Sequence, residues 1–357
     1  MIKPKKLEKG DKVAIVSLSR GLLGMPFIKH ELDLGLKRLK EFGLEPVIMD
    51  NSLKDMDYLF NHPEERAADL KQAFLDDSIK GIITAIGGDD TYKTIPYLME
   101  DQEFINAVKN HPKLFTGFSD TTNNHLMFQK LGLETFYGPC FLVDLAELDK
   151  EMLPYTKDSF EKYFKKEKGY EIKSSQVWYK ERESFGEDQV GIPRVEVKEK
   201  HGYETINGKG KVTGKLYGGC IDSLYDIYTS ERYGEENKVY KKYHILPTLE
   251  EWKEKILFLE TSEEKISPEK LETILKYFKK EKILESVKGI IVGKPIDETY
   301  YEEYKKVYKK VFKDINTPVL YNVNFGHSTP RAILPYGVEA TIDYDNKRIL
   351  INEEIFN

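Results

Sequence analysis

Ser119 is the residue in this chain best placed to act as a nucleophile. It lies in Leu114-Phe115-Thr116-Gly117-Phe118-Ser119-Asp120-Thr121-Thr122, an apolar run that stops at Gly-Phe-Ser-Asp and turns at once into a helical pattern. A serine on a sharp strand-to-helix turn holds its hydroxyl clear of the sheet, and the amide of the next residue points to the same spot. Such a serine needs a base to take its proton and a third group to orient that base. Of the seven histidines, His30, His62, His111, His201 and His244 sit among charged or turn residues, and His125 falls on a different face of the helix after Ser119. His327 differs from all of these, because it follows the apolar run Pro318–Phe325 and Gly326, where an imidazole projects from a rigid strand end. The orienting acid is harder to isolate. Glu260 ends Lys255-Ile-Leu-Phe-Leu and suits that role, but a strand-end residue capping the next loop would look the same. Asp120 reads as the cap of its own helix. Gly87-Gly88 could bring backbone amides to an oxyanion, although ordinary loop closure explains a Gly-Gly turn equally well.

These residues need rigid elements to carry them. Lys12–Ser17, Pro46–Met49, Gly81–Ile86 and Leu114–Gly117 read as strands. They alternate with helical patterns at Ile28–Phe42, Pro63–Asp76, Thr91–Met99 and Asp120–Lys130. Such alternation predicts a parallel sheet with right-handed crossovers and ligands at the carboxyl ends of the strands. From about Leu145 to Gly210 the periodicity fades among charged residues, with Val177-Trp178-Tyr179 as an aromatic exception. A polar stretch of this length reads as a functional loop, with Trp178 either a substrate lid or an anchor docking the loop on the body. Regular structure returns at Gly214, with strands at Lys255–Glu260, Val287–Gly293 and Pro318–His327, a helix opened by Ser267-Pro268, and a hairpin pattern in Gly337–Ile351. The expected architecture is α/β, with a parallel-sheet domain over 1–145 that carries Ser119. An insert over 146–205 follows, then a β-rich α+β domain over 206–357.

The bulk composition narrows the function classes. A chain of 357 residues is long enough for two cores, and a net charge of −6 gives no electrostatic reason to expect a nucleic-acid polymer. No apolar run approaches the roughly 20 residues of a membrane span. The basic start lacks a signal-peptide core. The two cysteines, Cys140 and Cys220, form no metal or disulfide motif and fit a reducing compartment, so a cytoplasmic location is expected.

Gly87-Gly88-Asp89, Gly117-Phe118-Ser119-Asp120, Gly214-Lys-Leu-Tyr-Gly-Gly, Ile256-Leu-Phe-Leu-Glu260 and Asn324-Phe325-Gly326-His327 together resemble the LD-carboxypeptidase family of serine peptidases (family S66). Within it they are most similar to the branch of microcin C self-immunity proteins. The resemblance runs from Gly10-Asp11 to Leu334–Gly337, nearly the whole chain. It implies Ser119 as nucleophile, His327 as base, Glu260 as the orienting group, and the amides of Gly88 and Asp120 as the oxyanion hole. It also implies a Rossmann-like amino-terminal domain, a carboxy-terminal domain supplying Glu260 and His327, a homodimer that needs no metal or cofactor, and an amide cleaved near a free carboxylate. The substrate would be a peptidyl or aminoacyl nucleotide, with a murein tetrapeptide as the alternative. The long insert favours the first, since that branch carries a tryptophan that stacks on a nucleotide base, here matched to Trp178. Asp89 and Cys220 are the other expected substrate contacts, although Cys220 stands where the family often has asparagine. A reading from another class remains open, a non-catalytic protein using the Gly87-Gly88 loop to hold an anion.

Overall fold

The computed structural model describes all 357 residues. The amino-terminal half forms β1 (Lys12–Val16), β2 (Glu45–Ile48), β3 (Ile79–Thr84), β4 (Leu114–Gly117) and β5 (Phe136–Tyr137). These five are parallel in the order β2-β1-β3-β4-β5. β1 and β3 to β5 are buried along nearly their whole length, which is why they read as continuous apolar runs rather than alternating ones. Helices Lys29–Glu41, Pro63–Leu75 and Thr122–Leu131 make the crossovers.

Residues 146–205 are more regular than expected. They hold a helix at Pro154–Glu161 and short strands β6 (Tyr170–Ile172), β7 (Val177–Tyr179) and β8 (Glu196–Lys198), and β9 (Glu204–Asn207) begins at their end. Three-residue strands are too short to express a period, so their pairing comes from distant segments. β6 joins the edge strand of the second sheet, and β7 pairs with β8.

The second sheet is built from β10 (Lys211–Cys220), β11 (Lys255–Glu260), β12 (Gly289–Gly293), β13 (Val319–Val323), β15 (Glu339–Asp343) and β16 (Arg348–Ile351), with β14 (Leu334–Pro335) between the last three in sequence. Its order is β6-β16-β15-β10-β11-β12-β13-β9. The four central strands β10 to β13 are parallel, flanked by antiparallel strands on both sides. Helix Pro268–Lys280 starts where Ser267 accepts from the Lys270 amide, and it buries Leu271, Ile274, Leu275 and Phe278. It packs against a second crossover helix, Tyr301–Val311.

β14 leaves the second half and pairs antiparallel with β5, completing the first sheet as its sixth strand. The Tyr336 hydroxyl just beyond it donates to Gly218 O at 2.6 Å. One apolar cluster therefore runs through both halves. No helix is long and apolar enough to cross a membrane.

Candidate active site

Ser119 follows β4 and has φ of 64°, a left-handed conformation that costs a side-chain-bearing residue on the order of 1–3 kcal/mol. The turn is held from several directions. Its own amide donates to the Tyr137 hydroxyl at 3.0 Å, and its carbonyl accepts from Thr122 Oγ1 at 2.7 Å. The same Thr122 oxygen accepts from the Cys220 amide at 3.1 Å, fastening the end of β10 to the serine turn.

Glu260 and His327 arrive from the second sheet. His327 Nε2 lies 3.0 Å from Ser119 Oγ, and its Nδ1 lies 2.8 Å from Glu260 Oε2, which also accepts the His327 amide at 3.1 Å. Glu260 Oε1 accepts from the Tyr137 hydroxyl at 2.5 Å. Tyr137 thus touches both ends of the line, a role nothing in its short apolar strand signals. The acid is also clamped by two glycines. A Cβ on Gly326, whose φ is +78°, would fall 2.3 Å from Glu260 Cδ, and one on Gly293 would fall 2.7 Å from Glu260 Cβ.

The Gly87-Gly88 turn passes directly beside the serine. A Cβ on Gly87 would lie 2.7 Å from Ser119 Cβ and 3.3 Å from the Asp120 nitrogen. The amides of Gly88 and Asp120 donate to no protein acceptor. The turn is anchored from behind, where Arg66 grips Asp90 through two contacts of 2.7 and 3.1 Å, and Ser19 Oγ accepts from the amides of Asp89 and Asp90. Asp120 does not cap its own helix as expected. It accepts from the Thr91 amide and from Asn123 Nδ2, tying the serine turn to the glycine turn, and burial pushes its carboxyl up to about 6.

One acid was not singled out in the sequence. Glu263 is three residues beyond β11 in an ordinary charged loop, and its Oε2 lies 2.9 Å from His327 Nε2 although its side chain is 67% exposed. Burial alone would lower the His327 pKa, but Glu260 on one nitrogen and Glu263 on the other push it up to about 10.

Two hollows meet at Ser119. One is polar and acidic, lined by Asp89, Asp222, Asp226, Glu236 and Glu264 with Cys220 at its edge, and Arg232 is its single cation. Burial raises Asp226 to about 7. The other is an apolar cavity of 360 Å³ walled by Leu22, Phe27, Ile86, Phe118, Leu142 and Phe185. Gly88, Ser119 and Glu263 border both.

Trp178 lines neither. It is 5% exposed on β7, its ring beneath the buried Lys294 ammonium at 5.1 Å, while Tyr179 bridges to Thr329. Of its two readings, docking of the insert is the one the structure adopts. Phe185, seven residues on and 41% exposed, is the aromatic of the insert that faces the cavity. Cys220 Sγ lies within 4.8 Å of ligand atoms of Glu260 and His327. Burial and the nearby Glu260 and Asp222 hold that thiol well above its usual pKa, and the other two are committed to each other.

Comparison with known proteins defines the class. A family model for the LD-carboxypeptidase N-terminal domain matches residues 13–138, and one for the LD-carboxypeptidase C-terminal domain matches residues 213–342. The chain belongs to the LD-carboxypeptidase family and is a hydrolase of the serine carboxypeptidase class. It is 29% identical over 332 residues to the microcin C7 self-immunity protein MccF of Escherichia coli, covering 91% of this chain and 89% of that one. A solved MccF structure in complex with aspartyl sulfamoyl adenosine is 27% identical, with a TM-score of 0.84 and 100% of both chains covered. A crystal structure of an MccF-like protein from Streptococcus pneumoniae in complex with AMP is more similar, at 45% identity and a TM-score of 0.90, covering 96% of this chain and 99% of that one. The probable murein peptide carboxypeptidase of Bacillus subtilis is 27% identical over 356 residues, covering 98% of this chain and 94% of that one.

Proposed function

We propose that this protein hydrolyses the amide of an aminoacyl or peptidyl nucleotide, with Ser119, His327 and Glu260 as its catalytic groups. The observation that carries the reading is the position of Ser119 between an acidic hollow with one arginine and an apolar cavity with an aromatic wall. The acidic side suits the ammonium of an aminoacyl group, and its one cation, Arg232, is paired with Asp226 and Glu264. The apolar side suits a flat ring on Phe185. An aminoacyl nucleotide presents those two ends on either side of one scissile bond.

His327 Nε2 takes the Ser119 hydroxyl proton as Oγ attacks the carbonyl carbon, while Glu260 holds the proton on Nδ1. The amides of Gly88 and Asp120 take the oxyanion. The proton then passes from Nε2 to the leaving nitrogen, the amine departs, and water repeats the sequence to release the acid from Ser119. Hydrolysis of a murein tetrapeptide is the second reading, favoured by similarity to the Bacillus subtilis carboxypeptidase over nearly the full length of both chains. A side-by-side assay on aspartyl sulfamoyl adenosine and an LD-tetrapeptide separates the two. Phe185→Ala is expected to raise KM roughly tenfold for the first, the loss of one base–aromatic stack, and to leave the tetrapeptide rate unchanged. Equal loss on both substrates would remove the stacking role.

The contact between Glu263 and His327 has a kinetic signature. His327 must be neutral at Nε2 to accept a proton, and the Glu263 carboxylate stabilises the protonated form. Activity therefore rises only as pH climbs through the elevated pKa. Glu263→Gln is expected to move the ascending limb of the kcat/KM profile to lower pH by on the order of one unit. A limb that stays in place or moves to higher pH would show that Glu263 does not act on the base.

A further inference from the structure

Glu31 is a buried acid that none of the chemistry above uses. It sits in the first turn of helix Lys29–Glu41, is 3% exposed, and lines the apolar cavity opposite the serine turn. Its Oε1 is fully buried with no hydrogen-bond partner. The two nearby guanidinium groups do not serve it. Arg182 Nη2 and Arg194 Nε are both spent on Glu147, at 2.7 and 2.6 Å. The His30 ring stands 3.9 Å from Glu31 Oε1, and its Nε2 is engaged with the Phe185 carbonyl at 2.9 Å. Through that histidine the aromatic wall and the buried acid are held side by side.

An unsatisfied buried acceptor is costly to keep, and a ligand that supplies the missing donor recovers the cost on binding. We propose that Glu31 is a specificity-determining residue, its unpartnered carboxyl on the cavity wall accepting a hydrogen bond from an N–H on the edge of a ring seated against Phe185. The inference rests on the nucleotide reading and narrows it to nucleotides whose base carries an edge donor, such as the exocyclic amine of adenine. Either protonation state of the carboxyl leaves an oxygen able to accept. The walls are mostly apolar and give no selectivity of their own between rings of equal size, so the few acceptors on them, Glu31 beside Phe185 with Glu181 and Glu263 elsewhere on the lining, decide which edge is taken.

The test is calorimetric titration of the whole protein with AMP and with purine riboside 5′-monophosphate, which differs only in lacking the amine. AMP is expected to bind roughly tenfold more tightly to the wild type, the effect of one hydrogen bond to a buried acceptor. Glu31→Leu is expected to abolish that ratio by weakening AMP, whereas Glu31→Gln, which keeps an oxygen acceptor, is expected to retain most of it. Equal affinities in the wild type, or an unchanged ratio in Glu31→Leu, would overturn the assignment while leaving the nucleotide reading intact. Failure of the wild type to bind either nucleotide would overturn both. The wild-type comparison needs no variant to fold.

Discussion

Ser119→Ala is expected to lower kcat by roughly 10⁴–10⁶-fold while leaving the affinity for AMP within about twofold of wild type. The size follows from what is lost. Without Oγ no acyl-enzyme forms, and the residual rate comes from a water molecule sharing the amides of Gly88 and Asp120. Binding survives because Ser119 only borders the apolar cavity, whose walls are Leu22, Phe27, Phe118, Leu142 and Phe185. The fold survives as well. Alanine at φ of 64° is strained, but serine already carries that strain, and the bonds that hold the turn run through the backbone of residue 119 rather than its hydroxyl. Single-turnover kinetics alongside calorimetry checks both halves of the expectation. A protein that held an anion without catalysis would show no change in either.

Glu260→Gln is expected to cost about 10³–10⁴-fold in kcat, a magnitude known for the equivalent change in other serine hydrolases. Glu260 accepts three protons, from Tyr137 on Oε1 and from the amide and Nδ1 of His327 on Oε2. Glutamine has one acceptor oxygen. Turned towards the histidine, it sets an amide N–H against the Tyr137 proton. Turned the other way, it meets the His327 amide donor and forces the imidazole into the tautomer whose Nε2 cannot accept from Ser119. Either orientation also removes the negative charge that stabilises the imidazolium formed during attack. The glycines that crowd the acid leave no space for a compensating shift. The readout is kcat with binding affinity as control, and a loss smaller than about tenfold would show that Glu260 only caps its loop.

Much of this was legible in the residues, for reasons that differ along the chain. Leu114–Gly117, Lys255–Glu260 and Val319–Val323 are central parallel strands, so they stand out as unbroken apolar runs. The residues at or just past their ends, Glu260, Ser119 and His327, are conspicuous as polar groups at rigid ends. The opening of helix Pro268–Lys280 is equally plain, because its Ser-Pro start is a local signal. Helix Tyr301–Val311 was missed, since its inward face is made of Tyr301, Tyr304 and Tyr308 among lysines, and an apolar count undervalues tyrosine. Helix Gln102–Asn110 was missed for a similar reason, with only Phe104, Ala107 and Val108 turned inward. Trp178 drew attention as the largest aromatic of the insert, but the pairing of β7 with β8 decides which side of that strand is covered. Phe185 carries no local mark at all. Glu31 is the extreme case. On its own helix it resembles any solvated acid, and nothing local to Lys29–Glu41 marks it as buried.

β14 bears on how the protein comes into being as well as on how it is held together. The last strand of the nucleophile's own sheet is Leu334–Pro335, and the base and the acid come from residues 327 and 260. During translation, therefore, Ser119 leaves the ribosome long before its proposed base, His327, and the sheet beneath it keeps an open edge at β5 until Leu334–Pro335 has been made. Nascent chains and fragments cut short by proteolysis carry a serine but no reactive one. On the proposed mechanism, hydrolytic power waits on the residues that supply the base and the last strand of the serine's sheet.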